Sequence, residues 1–166
     1  MHALLAAWGP WRGSHAVRGA RRVLAYVAFG DEPDPIAPWM RLDGAPALAT
    51  TRTVGRGEPL QLRAWVEPFE RHPYGFLQPR RDAPPVDPGE IDIVLVPGLA
   101  FDVHGARLGH GQGHYDRLLP TLPGHVPRVG VTLDALIVER LPTEPHDAPM
   151  THLLTPRGVR AIDGDG

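Results

Sequence analysis

Two short apolar runs constrain this chain more than any other feature: Val23-Leu24-Ala25-Tyr26-Val27-Ala28-Phe29 and Ile91-Asp92-Ile93-Val94-Leu95-Val96. Each is too short for a stable helix and carries apolar side chains on both faces of a strand, so each must be covered on both sides. That is the situation of a strand inside an open parallel sheet. The first run is stopped by Gly30-Asp31-Glu32-Pro33 and the second by Pro97-Gly98. Leu48 to Val54 and Leu60 to Val66 alternate as strands do, and Arg128 to Leu133 and Thr151 to Leu154 read as shorter ones. Pro35 to Leu42 and Tyr115 to Leu119 read as short helices, the second cut off by Pro120. The opening segment to Arg22 is weakly helical, because Gly9-Pro10 and Gly13 interrupt it. Arg80 to Gly89 is a Pro-rich connector. Strands interleaved with short helices predict an α/β layered fold. In such sheets the ligand crevice lies beyond the carboxyl ends of the strands, which directs attention to the loops after Phe29 and Val96.

Composition removes several classes of function. The 166 residues suit one domain, with no internal repeat and no linker. Glycine and proline number 19 and 20, but apolar runs separate them, so the chain reads as folded with many turns. A formal charge of −2 argues against a general nucleic-acid or membrane-surface binder. No apolar stretch approaches the roughly 18 residues of a membrane span. The absence of cysteine excludes disulfides, thiolate nucleophiles and cysteine-ligated zinc. With no signal-peptide pattern at the start, the expected setting is the reducing cytoplasm. All 17 basic residues besides histidine are arginine, so no lysine is available for a phosphate or a Schiff base.

The chemistry concentrates after Val96, in Pro97-Gly98-Leu99-Ala100-Phe101-Asp102-Val103-His104-Gly105-Ala106 followed by Arg107-Leu108-Gly109-His110-Gly111-Gln112-Gly113-His114-Tyr115-Asp116. Glycines at 109, 111 and 113 let backbone N–H groups approach a ligand that side chains would block. Curled N–H groups of this kind form an anion nest. Arg107 at one rim offers charge for phosphate oxygens, and Asp116 at the other offers a carboxylate for Mg²⁺. The parts describe a nucleotide triphosphate cradle, different from both the Walker loop and the dinucleotide fingerprint. By themselves, three glycines also describe a plain surface turn. His110 and His114 have the spacing of a metal pair, but that pairing needs a helix that Gly111 and Gly113 disfavour.

These segments closely resemble the signature of the 5-formyltetrahydrofolate cyclo-ligase family, also called methenyltetrahydrofolate synthetase: Val96-Pro97-Gly98, Ala100-Phe101-Asp102, Gly105 and Arg107-Leu108-Gly109-x-Gly111-x-Gly113-x-Tyr115-Asp116-Arg117. Further matches occur in order at Arg21-Arg22-Val23, Phe29-x-x-Glu32, Tyr74-Gly75-Phe76-Leu77-Gln78-Pro79 and Leu141-Pro142-x-Glu144-x-His146-Asp147. The similarity runs from about 21 to 155, leaving 156–166 as a tail of a single domain spanning 1–166. The resemblance implies a three-layer α/β/α sandwich, Rossmann-like, with a mostly parallel central sheet. It also implies closure of 5-formyltetrahydrofolate to 5,10-methenyltetrahydrofolate, with ATP and Mg²⁺ as cofactors and ADP and phosphate released. The formyl oxygen is first phosphorylated, and ring closure then expels phosphate. Such chemistry asks a protein for positioning and charge neutralisation, not for a covalent nucleophile.

Carried over residue by residue, the resemblance implies that Arg107, Leu108, Gly109, His110, Gly111, Gln112, Gly113, His114 and Tyr115 line the ATP phosphates, with Arg107 and Tyr115 serving the chemistry. Asp116 and Asp147 are then the Mg²⁺ carboxylates, and Glu32 anchors the pterin edge. Val27 and Trp65, Tyr74, Phe29 and Phe76 would supply the walls of a flat-ring pocket. Plain readings stand beside these: Val27, Trp65 and Phe76 as packing, Glu32 before Pro33 as a solvated turn, Asp147 as a helix cap. Asp102 reads either as a loop organiser or as a turn residue. The small-molecule substrate is the partner expected, with no nucleic acid, no membrane and a monomeric chain. Two departures stand out. The family's basic N-terminal helix and its lysine have no full counterpart, leaving Arg12, Arg18, Arg21 or Arg22 as substitutes, and Gln78 stands where a glutamate is usual. They motivate the alternative of a catalytically impaired folate- or nucleotide-binding relative.

Overall fold

The computed structural model describes residues 19–36 and 44–162. Its strands are β1 Arg22–Leu24, β2 Ala47–Arg52, β3 Gln61–Ala64, β4 Glu70–Arg71, β5 Leu77–Gln78, β6 Ile93–Val96, β7 Ala100–Asp102, β8 Arg107–Leu108, β9 Arg128–Val131, β10 Ile137–Val138, β11 His152–Thr155 and β12 Gly158–Ala161. One α-helix, α1, spans His114–Leu118, and 3-10 turns cover Pro88–Glu90, Leu119–Thr121 and Asp134–Leu136. Seven strands form a sheet in the order β12-β11-β9-β6-β1-β2-β3. The five inner strands run parallel, while β12 and β3 pair antiparallel at the two edges. The α/β architecture with a mixed, mostly parallel sheet is the expected one. Of the helical layers, the described residues include the five-residue α1 and the three 3-10 turns. The helix expected over 35–42 and the weakly helical opening lie mostly outside the described residues.

β6 shows why this sequence makes such a sheet. All four of its residues are buried, Ile93 and Leu95 facing a core with Val23, Tyr26, Val129 and Leu154. Val94 and Val96 face the opposite core with Leu24, Phe101, Leu118 and Leu153. Full burial of each such side chain contributes about 1.5–3 kcal/mol, a gain that requires cover on both faces. In β1 the ladder is shorter than its apolar run: pairing stops at Leu24, with one more bond from Ala25 N to Ala49 O at 2.9 Å. Beyond that point Tyr26 donates its hydroxyl to Pro33 O at 2.6 Å, and Phe29 N donates to Glu32 Oε2 at 2.9 Å. Closing the turn on itself takes the chain off the sheet, so the remaining apolar residues pack instead of pairing.

A smaller sheet, β10-β7-β8, lies on the second core through Phe101, which is fully buried. Its ring presses on β9 where a Cβ on Gly130 would fall 2.5 Å from it, so the close approach depends on glycine there. Strands this short carry no periodicity, which is why the sequence showed no sign of them. The segment counted as a tail contributes β12, paired with β11 from His152↔Ala161 to Thr155↔Gly158.

Chain order reverses at β1. From it, β2 and β3 build outward in one direction, and β6, β9 and β11 in the other. Val23 sits level with both Leu48 and Ile93, so β1, β2 and β6 end at the same edge. A reversal of this kind opens the crevice where open α/β sheets bind ligands. The loops entering it are 25–32, after β1, and the segment that follows β6.

Candidate functional site

The segment after β6 folds back as the β7–β8 hairpin, and the buried Asp102 holds it in shape. Its Oδ1 accepts from His104 N at 2.9 Å and Ala106 N at 2.8 Å, and its Oδ2 from Leu141 N at 2.9 Å. Asp102 is therefore the loop organiser, and through Leu141 it also ties the hairpin to the strand-free segment 139–150. A second tie runs from Met150 N to Gly105 O at 2.8 Å. Burial raises the Asp102 carboxyl, but the three backbone donors outweigh it and hold the group below its ordinary range. A depressed folded value contributes stability that is complete above the unfolded carboxylate value, about 3.9, and is lost as pH falls through the folded one. Acid unfolding of wild type should therefore steepen below about pH 4, and Asp102→Asn should make that limb shallower. Identical acid limbs in both proteins would contradict the assignment.

Beyond the hairpin, residues 109–113 curve into α1. Gly111 and Gly113 have φ of 84° and 64°, values that favour glycine, and Gly113 takes the N-cap position without a side-chain cap. Among the described residues, the N–H groups of His110, Gly111, Gln112 and Gly113 donate to no acceptor of the chain. The loop thus presents a row of unspent donors. Its histidines are not arranged as a metal pair. His114 Nε2 lies 3.1 Å from Gln112 Oε1, and burial, then Arg117, holds its imidazole below the ordinary value. His110 reaches the other loop, its Nε2 3.6 Å from Glu32 Oε1. The two loops of the crevice meet at this contact.

Tyr115 lies beneath. Burial pushes its phenol well above the ordinary value, and Arg107, 5.5 Å over its ring, pulls against that shift. Glu32 raises it further, while a hydrogen bond with Thr51 of β2 lowers it. Tyr26 is likewise raised, by burial first and then by Glu32. Both phenols stay protonated, so they are hydrogen-bond donors here, not bases.

Arg107 is 8% exposed, and its Nη2 contacts Asp116 Oδ2 at 3.2 Å while Nη1 lies 3.3 Å from Pro97 O. Its Nε is buried with no hydrogen-bond partner among the described residues. Arg107 and Asp116 line a cavity of about 320 Å³ together with Arg140, Glu144 and Asp147. Asp116 and Asp147, thirty-one positions apart, both line this one cavity. No group of three or more His, Asp or Glu side chains among the described residues is gathered to hold a metal unaided. Two carboxylates on an open cavity nevertheless fit Mg²⁺, which keeps several waters and takes one or two carboxylates with phosphate oxygens.

The aromatic residues divide. Phe29, after β1, meets Phe76 edge-on at 6.2 Å, and Phe76 stacks on His72 at 4.3 Å. Tyr74, 75% exposed, leans on His72 at 5.1 Å. This cluster from the β4–β5 hairpin adjoins the loop that holds Glu32. Val27 is half-buried on that loop. Trp65 sits level with Leu48, packs on the first core, the one that holds Ala25 and Tyr26 of the loop, and meets Phe69 at 4.9 Å.

Gln78 is built into a network: it accepts from Thr53 Oγ1 at 2.8 Å and donates to Glu70 Oε1 at 3.2 Å, and Arg52 donates to Glu70 at 2.6 Å. A glutamate at 78 would set a second carboxylate against Glu70, which explains the amide. Arg12 and Arg18 lie outside the described residues. Arg21 and Arg22 pair with Asp92 at 3.8 Å and Glu90 at 2.9 Å, at the amino ends of β1 and β6, the edge away from the crevice. Arg140 carried no motif and was not singled out from the sequence; only the fold shows that it reaches the cavity.

Comparison with known proteins follows the same lines. The model of the 5-formyltetrahydrofolate cyclo-ligase family matches residues 12–156. A 5-formyltetrahydrofolate cyclo-ligase of Mycolicibacterium smegmatis is 37% identical over 161 residues, covering 92% of this chain and 82% of that protein. The NMR structure of Aquifex aeolicus 5,10-methenyltetrahydrofolate synthetase is similar at a TM-score of 0.79 and 27% identity, over 99% of this chain and 82% of that one. A synthetase structure from Mycoplasma pneumoniae, 15% identical, shares the fold at a TM-score of 0.72.

Proposed function

The chain belongs to the 5-formyltetrahydrofolate cyclo-ligase family, and from that premise we propose that it closes 5-formyltetrahydrofolate to 5,10-methenyltetrahydrofolate at the expense of ATP, with Mg²⁺. We read residues 1–166 as one such domain. The observation that carries the reading is the row of unspent N–H donors at 110–113, set between Glu32 on one side and the Asp116–Asp147 cavity on the other.

In this reading the N–H row receives phosphate oxygens, and donors already free of internal partners cost nothing to redirect. Asp116 and Asp147 would hold Mg²⁺, which would supply neutralisation of phosphate charge for phosphoryl transfer to the formyl oxygen. Arg107 holds Asp116 in place by its bridge and lies over Tyr115. Tyr115, kept protonated, donates a hydrogen bond beside the reacting groups. Glu32 accepts from the pterin's N–H groups, for which His110 must yield its contact. Phe29, Phe76 and Tyr74 flank the ring, and the exposed Tyr74 is free to fold onto it. The test is direct. Purified protein given 5-formyltetrahydrofolate, ATP and Mg²⁺ should develop the methenyl absorbance, and only with all three present. Folded protein that yields no such signal rejects active catalysis, and folate binding by calorimetry without ATP turnover would instead select the impaired relative.

A further inference from the structure

We propose that Arg140 is a nucleotide-binding residue, supplying to the cavity a positive charge for the terminal phosphates. The proposal rests on the reading of this cavity as the site of ATP and Mg²⁺, and it follows from how the arginines around the crevice are engaged among the described residues.

Arg107 reaches the cavity, yet its two terminal nitrogens face Asp116 and Pro97 O, and its side chain is nearly buried. Turning it onto a phosphate would break the bridge that fixes Asp116. Arg21 and Arg22 are paired at the opposite edge of the sheet. Arg117, at the end of α1, points to His114 and does not line the cavity. The acids lining the same space are Asp116, Glu144, Asp147 and Asp102, the last already engaged by three backbone donors. A triphosphate entering there meets several carboxylates, so Mg²⁺ needs help from a cation of the protein.

Arg140 answers this need. It lines the cavity, is exposed, and makes no ion pair among the described residues. Its place on the chain is fixed by what surrounds it. Val138, two residues before it, pairs with Asp102 in the small sheet and accepts from Val103 N at 3.2 Å. Leu141, the next residue, gives its N–H to Asp102. The guanidinium therefore swings from a held base, with a planar fork that suits phosphate oxygens. No glycine or motif marks the residue; the inference comes from the register of β10 against β7.

The experiment is steady-state kinetics of Arg140→Gln and Arg140→Lys beside wild type, with ATP varied at saturating 5-formyltetrahydrofolate and Mg²⁺ and then the reverse, together with calorimetric binding of ATP with Mg²⁺. Arg140→Gln should raise the KM for ATP about tenfold, as expected for losing one charge-assisted contact. The KM for 5-formyltetrahydrofolate should stay within about twofold, and Arg140→Lys should recover much of the loss because it restores charge without the fork. Unaltered melting temperatures show that an exposed side chain was changed without harm to the fold. Wild type that binds ATP and an Arg140→Gln variant that binds it equally well overturn this assignment alone. Wild type that binds no nucleotide overturns the functional reading and the assignment with it.

Discussion

Replacing Asp116 with asparagine should lower turnover by about tenfold or more while leaving the fold intact, because the cavity loses one formal charge opposite Mg²⁺. Asparagine keeps the shape and one oxygen, so Arg107 can still donate across the 3.2 Å contact. The packing under Tyr115 is then undisturbed, and thermal melting of variant and wild type should nearly coincide. The loss should appear in kcat and in a raised Mg²⁺ requirement, with little change in the KM for folate, for which the proposed anchor is Glu32 on the other loop. Asp147→Asn should behave alike, since both carboxylates face one space. Turnover unchanged in the Asp116 variant would remove it from the metal.

The largest effect on stability is expected from Gly105→Ala. Gly105 has a φ of 94°, and an added Cβ would stand 2.5 Å from Met150 O and 3.3 Å from Met150 N. These are main-chain atoms, and Met150 N is itself bonded to Gly105 O, so neither side can give way cheaply. Backbone strain and overpacking together should cost about 2–5 kcal/mol, read as a lower urea midpoint at an unchanged slope. Gly111→Ala is the control: its φ is 84° but a Cβ there meets nothing within 4 Å. Only the strain remains, about 1–2 kcal/mol. Equal costs at the two positions would show that contact with Met150 is not what demands glycine at 105.

How much of this was legible beforehand depended on whether a feature is local. The apolar run at 93–96 announces a strand covered on both faces, and the structure buries all four residues. Residues 109–113 announce a loop of exposed backbone donors, and α1 follows within a residue of its expected start. The run at 23–29 misled, since apolarity says a segment is buried without saying that it pairs; the Tyr26 and Glu32 side chains close the turn first. Asp102 looked like a turn residue or an organiser in equal measure, because its third partner, Leu141, lies thirty-nine positions away. The small sheet depends on Phe101 meeting Gly130, a pairing that no window of sequence contains. Trp65 read either as packing or as a pocket wall; it is half-buried level with Leu48, packs against the first core and meets Phe69.

The two fastenings between the β7–β8 hairpin and residues 139–150 have a mechanical consequence. Leu141 is bolted to Asp102 and Met150 to Gly105, so the stretch between them is a bridge anchored at both ends, not a hinged door. Whatever occupies the space beneath has to enter and leave by its open mouth, and the position of Asp147 is set by covalent geometry, one main-chain bond and one bond to a buried carboxylate instead of by the arrival of a guest.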